Sequence, residues 1–260
     1  MALTTPTFPN LVVAFDIETS GRSLISVGRK PAGDCLFAIG IAWGQLHDTD
    51  RTKVDWVGKA SIVLAPPKAN KDLGALWANK GWDAVCGEFW KREEATLRKL
   101  WASSSVPHEF GCYERDWCRV VADYPAMASC LNKMLGTLEG MTGGEPLCVA
   151  SDTMVHDFPW IVALLTQNGY QPLGYTRDGN WSNKSMHVGS FKRGVLCERY
   201  KRAVVDVTKE ERGELEDQLA KRRPAGTVHM PADDAAGILF DTLVAQQAAA
   251  GKLDAPTSSS

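Results

Sequence analysis

Asp16 and Glu18 stand two residues apart at the end of an apolar, β-branched run, LVVAFDIETSG, from Leu11 to Gly21. On a strand that spacing puts both side chains on one face, where two carboxylates repel unless a cation lies between them. Hard oxygen donors suit a divalent cation, so metal binding is the first chemistry the chain offers. The competing reading is a strand end whose acids are solvated. Further acids arrive beside apolar segments: Asp152 and Asp157 in VASDTMVHDFPWI, and the adjacent Asp233 and Asp234 in HMPADDAAGILF. His229 lies five residues before Asp234, just outside a helix that Pro231 is suited to begin. Held there beside carboxylates, an imidazole of ordinary pKa near 6.5 can serve as a general base.

Each acidic pair contains a choice. At ~100° per residue, Asp234 lies about 40° around the helix from Ile238, whereas Asp233 lies about 140° from it. A helix that turns Ile238 and Leu239 toward a sheet therefore turns Asp234 the same way, and Asp233 suits a first-turn acid facing the helix dipole. Asp157 has the apolar FPWIVALL directly behind it, whereas Asp152 suits a cap or turn. The sequence thus favours Asp157 and Asp234 and leaves Asp152 and Asp233 as alternatives.

The elements that must position these groups follow from periodicity. LVVAFDIET, CLFAIGIAWG and KVDWVGKASIVLA read as three consecutive strands, hence a meander. Helical spacing sets in from about Trp82 to Ser103, with Val85, Phe89, Trp90, Leu97, Leu100 and Trp101 among charged residues, and assigns those aromatics to the core. A second helix is expected from near Trp117 to Leu138, broken or restarted at Pro125. PLCVAS is a short strand, and DTMVHDFPWIVALLTQNG a helix stopped by Asn168-Gly169. Residues 174–200 read as a long excursion or irregular hairpin with a basic side, RAVVDV from Arg202 as one more strand, and KEERGELEDQLAKRR as a charged helix or helical turn. The last helix runs from near Pro231 to Ala250, giving a single domain over 1–250 and a polar, disordered tail over 251–260. Strands first, then alternating helices and strands, imply a mixed sheet flanked by helices.

The bulk numbers narrow the class. With 260 residues, 44% hydrophobic and 23% charged, the composition is that of an ordinary globular protein, without a run approaching a membrane span. MALTTPTFPN has no basic segment followed by an apolar core, so an intracellular location is expected. Seven cysteines, odd in number and without a CxxC, fit reduced thiols; His108, Cys112 and Cys118 match no common zinc spacing. A net charge of -2 argues against a large basic footprint for nucleic acid. It argues less against a small site, because cation ligands are counted among the acids.

The three acidic stretches carry a resemblance. DIETSG resembles the first motif of the DEDDh 3'-to-5' exonucleases, which include proofreading exonuclease subunits and ribonuclease T-like enzymes. VASDTMVHDFPWI resembles the second and HMPADDA the third, in the family's order. His156 departs from the pattern, standing where the family often has an aromatic residue before the aspartate. The resemblance implies a ribonuclease H-like α/β fold with a mixed five-stranded sheet. It also implies metal ligands Asp16, Glu18, Asp157 and Asp234, and His229 as general base. Two Mg2+ or Mn2+ ions about 3.5 to 4 Å apart would clamp the attacking water and the leaving 3'-oxygen. Thr19, Ser20 and Gly21 would contact the terminal nucleotide of a nucleic acid with a free, single-stranded 3' end. Arg22, Arg29, Lys30, Lys184, Lys192, Arg193 and the run Lys221-Arg222-Arg223 could supply phosphate contacts. Two other functions compete: a non-catalytic nucleic-acid or protein-binding module on the same fold, and a small-nucleotide phosphohydrolase. No motif separates DNA from RNA.

Overall fold

The computed structural model describes residues 8, 10–20, 36–46, 54–65, 84–102, 116–143, 145–172, 185–188, 190, 192, 208, 210, 213, 217 and 229–249. β1 (Val12–Thr19), β2 (Leu36–Leu46) and β3 (Val54–Leu64) form the expected antiparallel meander. β4 (Asp116–Val121) joins β3 in parallel, β5 (Cys148–Ser151) joins the other side of β1 in parallel, and β6 (Ser185–His187) extends that edge. The order is β4-β3-β2-β1-β5-β6, a mixed sheet flanked by helices. Helices with bounds among the described residues are α1 (Ala84–Arg92), α2 (Glu94–Ala102), α3 (Tyr124–Met141), α4 (Met154–Gln167) and α5 (Pro231–Ala249).

Strand alternation assigns the two faces. Val13, Phe15 and Ile17 of β1, with Ile39 and Ile41 of β2 and Ala60 and Ile62 of β3, pack against Met127, Leu131 and Leu138 of α3 and Ile161 and Leu165 of α4. On the opposite face Val12, Ala14, Ala42 and Ala150 meet Ala235, Ala236, Ile238, Leu239 and Leu243 of α5. The period of two then carries Asp16 and Glu18 onto the α5 face, as continuations of the Val12 and Ala14 row. A third cluster joins Phe37, Ala38 and Val63 to Trp90, Leu97 and Leu100 of α1 and α2.

The α5 face of the sheet is made of small residues, and one of them sets the approach of the helix. Asp16, Gly40 and Ser61 are direct cross-strand partners on β1, β2 and β3. A Cβ on Gly40 would run into the carbonyl group of Pro231, so the first residue of α5 rests on bare backbone. The Ser61 hydroxyl accepts the Ala232 N–H at 3.2 Å, satisfying a donor the helix leaves open, and Lys59 pairs with Asp233. Gly40→Ala is therefore expected to destabilise the protein by about 1–3 kcal/mol, as overpacking does, measurable by urea denaturation.

Two expectations are corrected. The helix expected from Trp117 begins only at Tyr124; residues 116–121 are a strand whose Trp, Cys and Val side chains suit the pleated edge beside β3. Asp123 caps the helix by accepting the Ala126 N–H at 2.9 Å, and Pro125 sits in its first turn, where its missing N–H costs nothing. The single helix over 82–103 is two, α1 and α2, separated at Glu93. The Asn168-Gly169 stop is present: Gly169 takes φ 77, and the Tyr170 N–H returns to the Leu165 carbonyl. RAVVDV at 202–207 and the tail at 251–260 lie outside the described residues, as does all of KEERGELEDQLAKRR except 210, 213 and 217. Among the described residues no helix is long and apolar enough to cross a membrane.

Candidate active site

β1 brings Asp16 and Glu18, both partly buried, to the end of the α5 face. The β1–β2 register shifts between Glu18 and Thr19, so the strand leaves its regular ladder immediately after the second acid. Thr19 and Ser20 are buried where the chain leaves the sheet, and Gly21 lies outside the described residues.

β5 and α4 bring the next acid. Asp157 lies in the first turn of α4 and is only 1% exposed. The Ser151 and Thr153 hydroxyls both donate to its Oδ2, from β5 and from the residue preceding the helix. The Thr153 N–H in turn donates to Ser151 Oγ at 3.0 Å, so three short-range bonds fix this carboxylate's direction. Asp152 is exposed, yet one of its carboxylate oxygens lies within 4.8 Å of ligand oxygens of both Asp16 and Asp157. His156 is partly buried beside Trp160, and burial pushes its pKa below the ordinary value.

α5 completes the arrangement. Asp234 lies in its first turn, and a ligand oxygen on it falls within 4.8 Å of a Glu18 oxygen and a His229 ring nitrogen. Asp233, one residue earlier, is bound to Lys59 of β3 instead. The helical phase that separated the two aspartates is thus realised physically: one faces the sheet's lysine, the other the acids of β1. His229 precedes the helix with φ 61, the left-handed region that a residue with a side chain seldom occupies. Its ring meets Phe89 of α1 edge to face, with centroids 4.8 Å apart.

The electrostatics of the cluster show what it lacks. Burial, then Glu18, Asp234, Asp157 and Asp152, hold the Asp16 carboxyl well above its usual pKa; burial, then Asp234 and Asp157, do the same to Glu18. Burial raises Asp157 to about 6 against the hydroxyl bonds that lower it, and raises Asp234 to about 6 against the charge and backbone N–H of His229. Among the described residues no cationic side chain offsets Asp16 or Glu18. A set of carboxylates that is mutually repelling and partly desolvated fits hard divalent cations such as Mg2+ or Mn2+.

A pH signature follows from the raised carboxyls. Unfolded aspartates titrate near pH 3.9, so from about pH 4 to about pH 7 the folded, cation-free protein holds more protons than the unfolded chain. Its stability is expected to fall as pH rises through that window. Mg2+ should accordingly raise the melting temperature more near pH 7 than near pH 5, a contrast that differential scanning fluorimetry in EDTA and in Mg2+ would read.

No family model and no curated protein matches the chain. Among solved structures, a product-bound exonuclease I aligns over 92% of this chain and 44% of its own, with TM-score 0.50 and 14% identity. The fold is ribonuclease H-like. A metal-free exonuclease I from E. coli in complex with ssDNA aligns over 92% of this chain and 40% of its own, at TM-score 0.46 and 15% identity. The chain spans less than half the length of these exonuclease I chains. On the ribonuclease H-like sheet, Asp16, Glu18, Asp152, Asp157, His229 and Asp234 gather in the two neighbouring groups described above.

The motifs do not disclose the groups that support the acids. Gly40, Ser61 and Lys59 stand in the sequence as strand residues, although a glycine inside a strand is a signal of close backbone approach. Lys192 is partly buried and pairs with the buried Asp241 of α5 at 3.1 Å. The other basic residues singled out lie outside the described residues.

Proposed function

We propose that this protein is a metal-dependent 3'-to-5' exonuclease that hydrolyses phosphodiester bonds at the free 3' end of a nucleic acid. The convergence of acids from three distant stretches supports this reading most directly. Asp16 and Glu18, Asp157, and His229 with Asp234 come from separate parts of the chain and face one another at one end of the sheet. The ribonuclease H-like fold shared with a product-bound exonuclease I agrees with it.

Asp16, Glu18, Asp157 and Asp234 are the residues that would hold two Mg2+ or Mn2+ ions. When bound, such ions neutralise charge on the reacting phosphate and on the attacking and departing oxygens. His229 takes a proton at a ring nitrogen from the water whose oxygen bonds to phosphorus. The bond from phosphorus to the preceding nucleotide's 3'-oxygen breaks, that oxygen acquires a proton from solvent, and a nucleoside 5'-monophosphate departs. Glu18 and Asp234 oxygens lie within 4.8 Å of an imidazole nitrogen. Ser151 and Thr153 keep Asp157 from rotating by occupying its Oδ2. Thr19, Ser20 and Gly21, which follow the β1 acids directly, are where the terminal nucleotide would lie.

Incubating 5'-end-labelled single-stranded DNA, duplex DNA and RNA with Mg2+, Mn2+ or EDTA tests this. Ladders shortening from the 3' end, absent in EDTA, are expected, most rapidly on a single-stranded end. Binding without cleavage would favour the non-catalytic module instead. Hydrolysis of free nucleotides without shortening of the oligonucleotides would favour the phosphohydrolase. The substrate arms also assign the sugar.

A further inference from the structure

His229 is the least supported member of the cluster by its own element. It precedes α5 and so lacks a helix's fixed side-chain direction, and its backbone occupies the left-handed region. Such a conformation persists when its surroundings over-determine it. Here the next residue, Met230, packs into the cluster of α1 and α2, and its carbonyl receives the N–H groups of Asp233 and Asp234. Pro231 is seated on Gly40. These contacts fix the backbone of the turn but leave the imidazole free to rotate about its own side-chain bonds.

The ring is met instead by Phe89, with centroids 4.8 Å apart and planes at 89°. Phe89 is itself backed by Trp90, at 5.1 Å and 88°, and the buried Trp90 by Phe37 of β2, at 5.0 Å and 80°. A continuous aromatic stack thus runs from the sheet core to the imidazole. In an edge-to-face pair the attraction depends on ring orientation, so the contact selects a rotamer as well as filling space. The selected rotamer is the one that brings a ring nitrogen within 4.8 Å of Glu18 and Asp234 oxygens.

The geometry points to Phe89 as a positioning residue that orients the His229 imidazole toward the carboxylate cluster. This deepens the exonuclease reading and rests on it. Phe89 also packs against the cluster of Trp90, Leu97 and Leu100, and the orienting role is additional to that packing. The orienting role is distinct from stacking on a nucleobase, since the ring is already engaged by the histidine.

Phe89→Leu keeps apolar bulk and removes the aromatic ring; Phe89→Tyr restores a ring. In Phe89→Leu, kcat on a labelled oligonucleotide is expected to fall roughly tenfold to a hundredfold, with KM and the Mg2+ midpoint unchanged, as for a misplaced catalytic group. Phe89→Tyr should recover most of the loss. Proton NMR of selectively labelled histidine should show the His229 ring protons displaced by the neighbouring aromatic in the wild type and in Phe89→Tyr, and released in Phe89→Leu. Full kcat in Phe89→Leu, or equal losses in both variants, would overturn the proposal. So would His229 resonances that do not respond to Phe89→Leu. A wild type that cuts no nucleic acid would remove the exonuclease reading, while the NMR comparison would still decide whether Phe89 orients the ring.

Discussion

Asp16→Asn is expected to abolish Mg2+-dependent hydrolysis, by about a thousandfold or more, while raising the melting temperature of the cation-free protein. Both effects have one cause. Asp16 is a partly buried carboxylate facing Glu18, Asp234, Asp157 and Asp152, and its charge is unfavourable in the folded state until a cation joins it. Asparagine keeps the shape and removes the repulsion, so the empty cluster becomes easier to fold around. In the proposed reaction it also withdraws one anionic ligand from an ion that stabilises charge in the transition state, and a loss of about 4 kcal/mol there corresponds to the thousandfold. The pairing of lower activity with higher apo stability separates this role from a structural one. A carboxylate that held the fold together would lose both when replaced. Enzyme assays in Mg2+ and thermal melts in EDTA, on the same preparation, read the two signs. Asp234→Asn should behave alike, with a smaller gain in stability because the His229 charge and N–H already offset part of its burial.

The sequence carried much of this, and the reasons for its gaps are local. β1 to β3 were legible because their apolar runs are long and the period of two is clean, and that same period placed Asp16 and Glu18 on one face. The separation of Asp234 from Asp233 was legible because helical phase is a geometric constant, and Lys59 now accounts for the aspartate left over. β4 was not legible. DWCRVV is short, follows a stretch without clear period, and precedes a genuine helix whose pattern runs on backwards through it. Gly40 and Ser61 were invisible for a different reason: their importance lies in what approaches them from residues 231 and 232, a contact no spacing along one strand reveals. Phe89 was visible as an amphipathic-helix aromatic, but its position at the rim beside His229 depends on the packing of α1 against β2. Periodicity thus identifies faces; it does not identify what another segment lays upon them.

For His229 the choice of replacement determines what the experiment means. At φ 61, alanine would add backbone strain to the loss of the ring, and a fall in activity could come from a displaced α5. Asparagine tolerates the left-handed region and glycine is indifferent to it, so His229→Asn and His229→Gly isolate the imidazole. Both are expected to lower kcat by about a hundredfold to ten-thousandfold, the range for removal of a general base. Melting temperature and the Mg2+ concentration for half-maximal activity should change little, because four carboxylates remain to hold the ions. Loss of Mg2+ affinity would instead make His229 a ligand, an arrangement its proximity to Glu18 and Asp234 makes geometrically open. Added imidazole supplies the deciding measurement. In His229→Gly a cavity stands where the ring was, bounded by Phe89 on one side and the two carboxylates on the other. Exogenous imidazole that restores turnover there without altering the Mg2+ midpoint identifies the missing function as proton transfer.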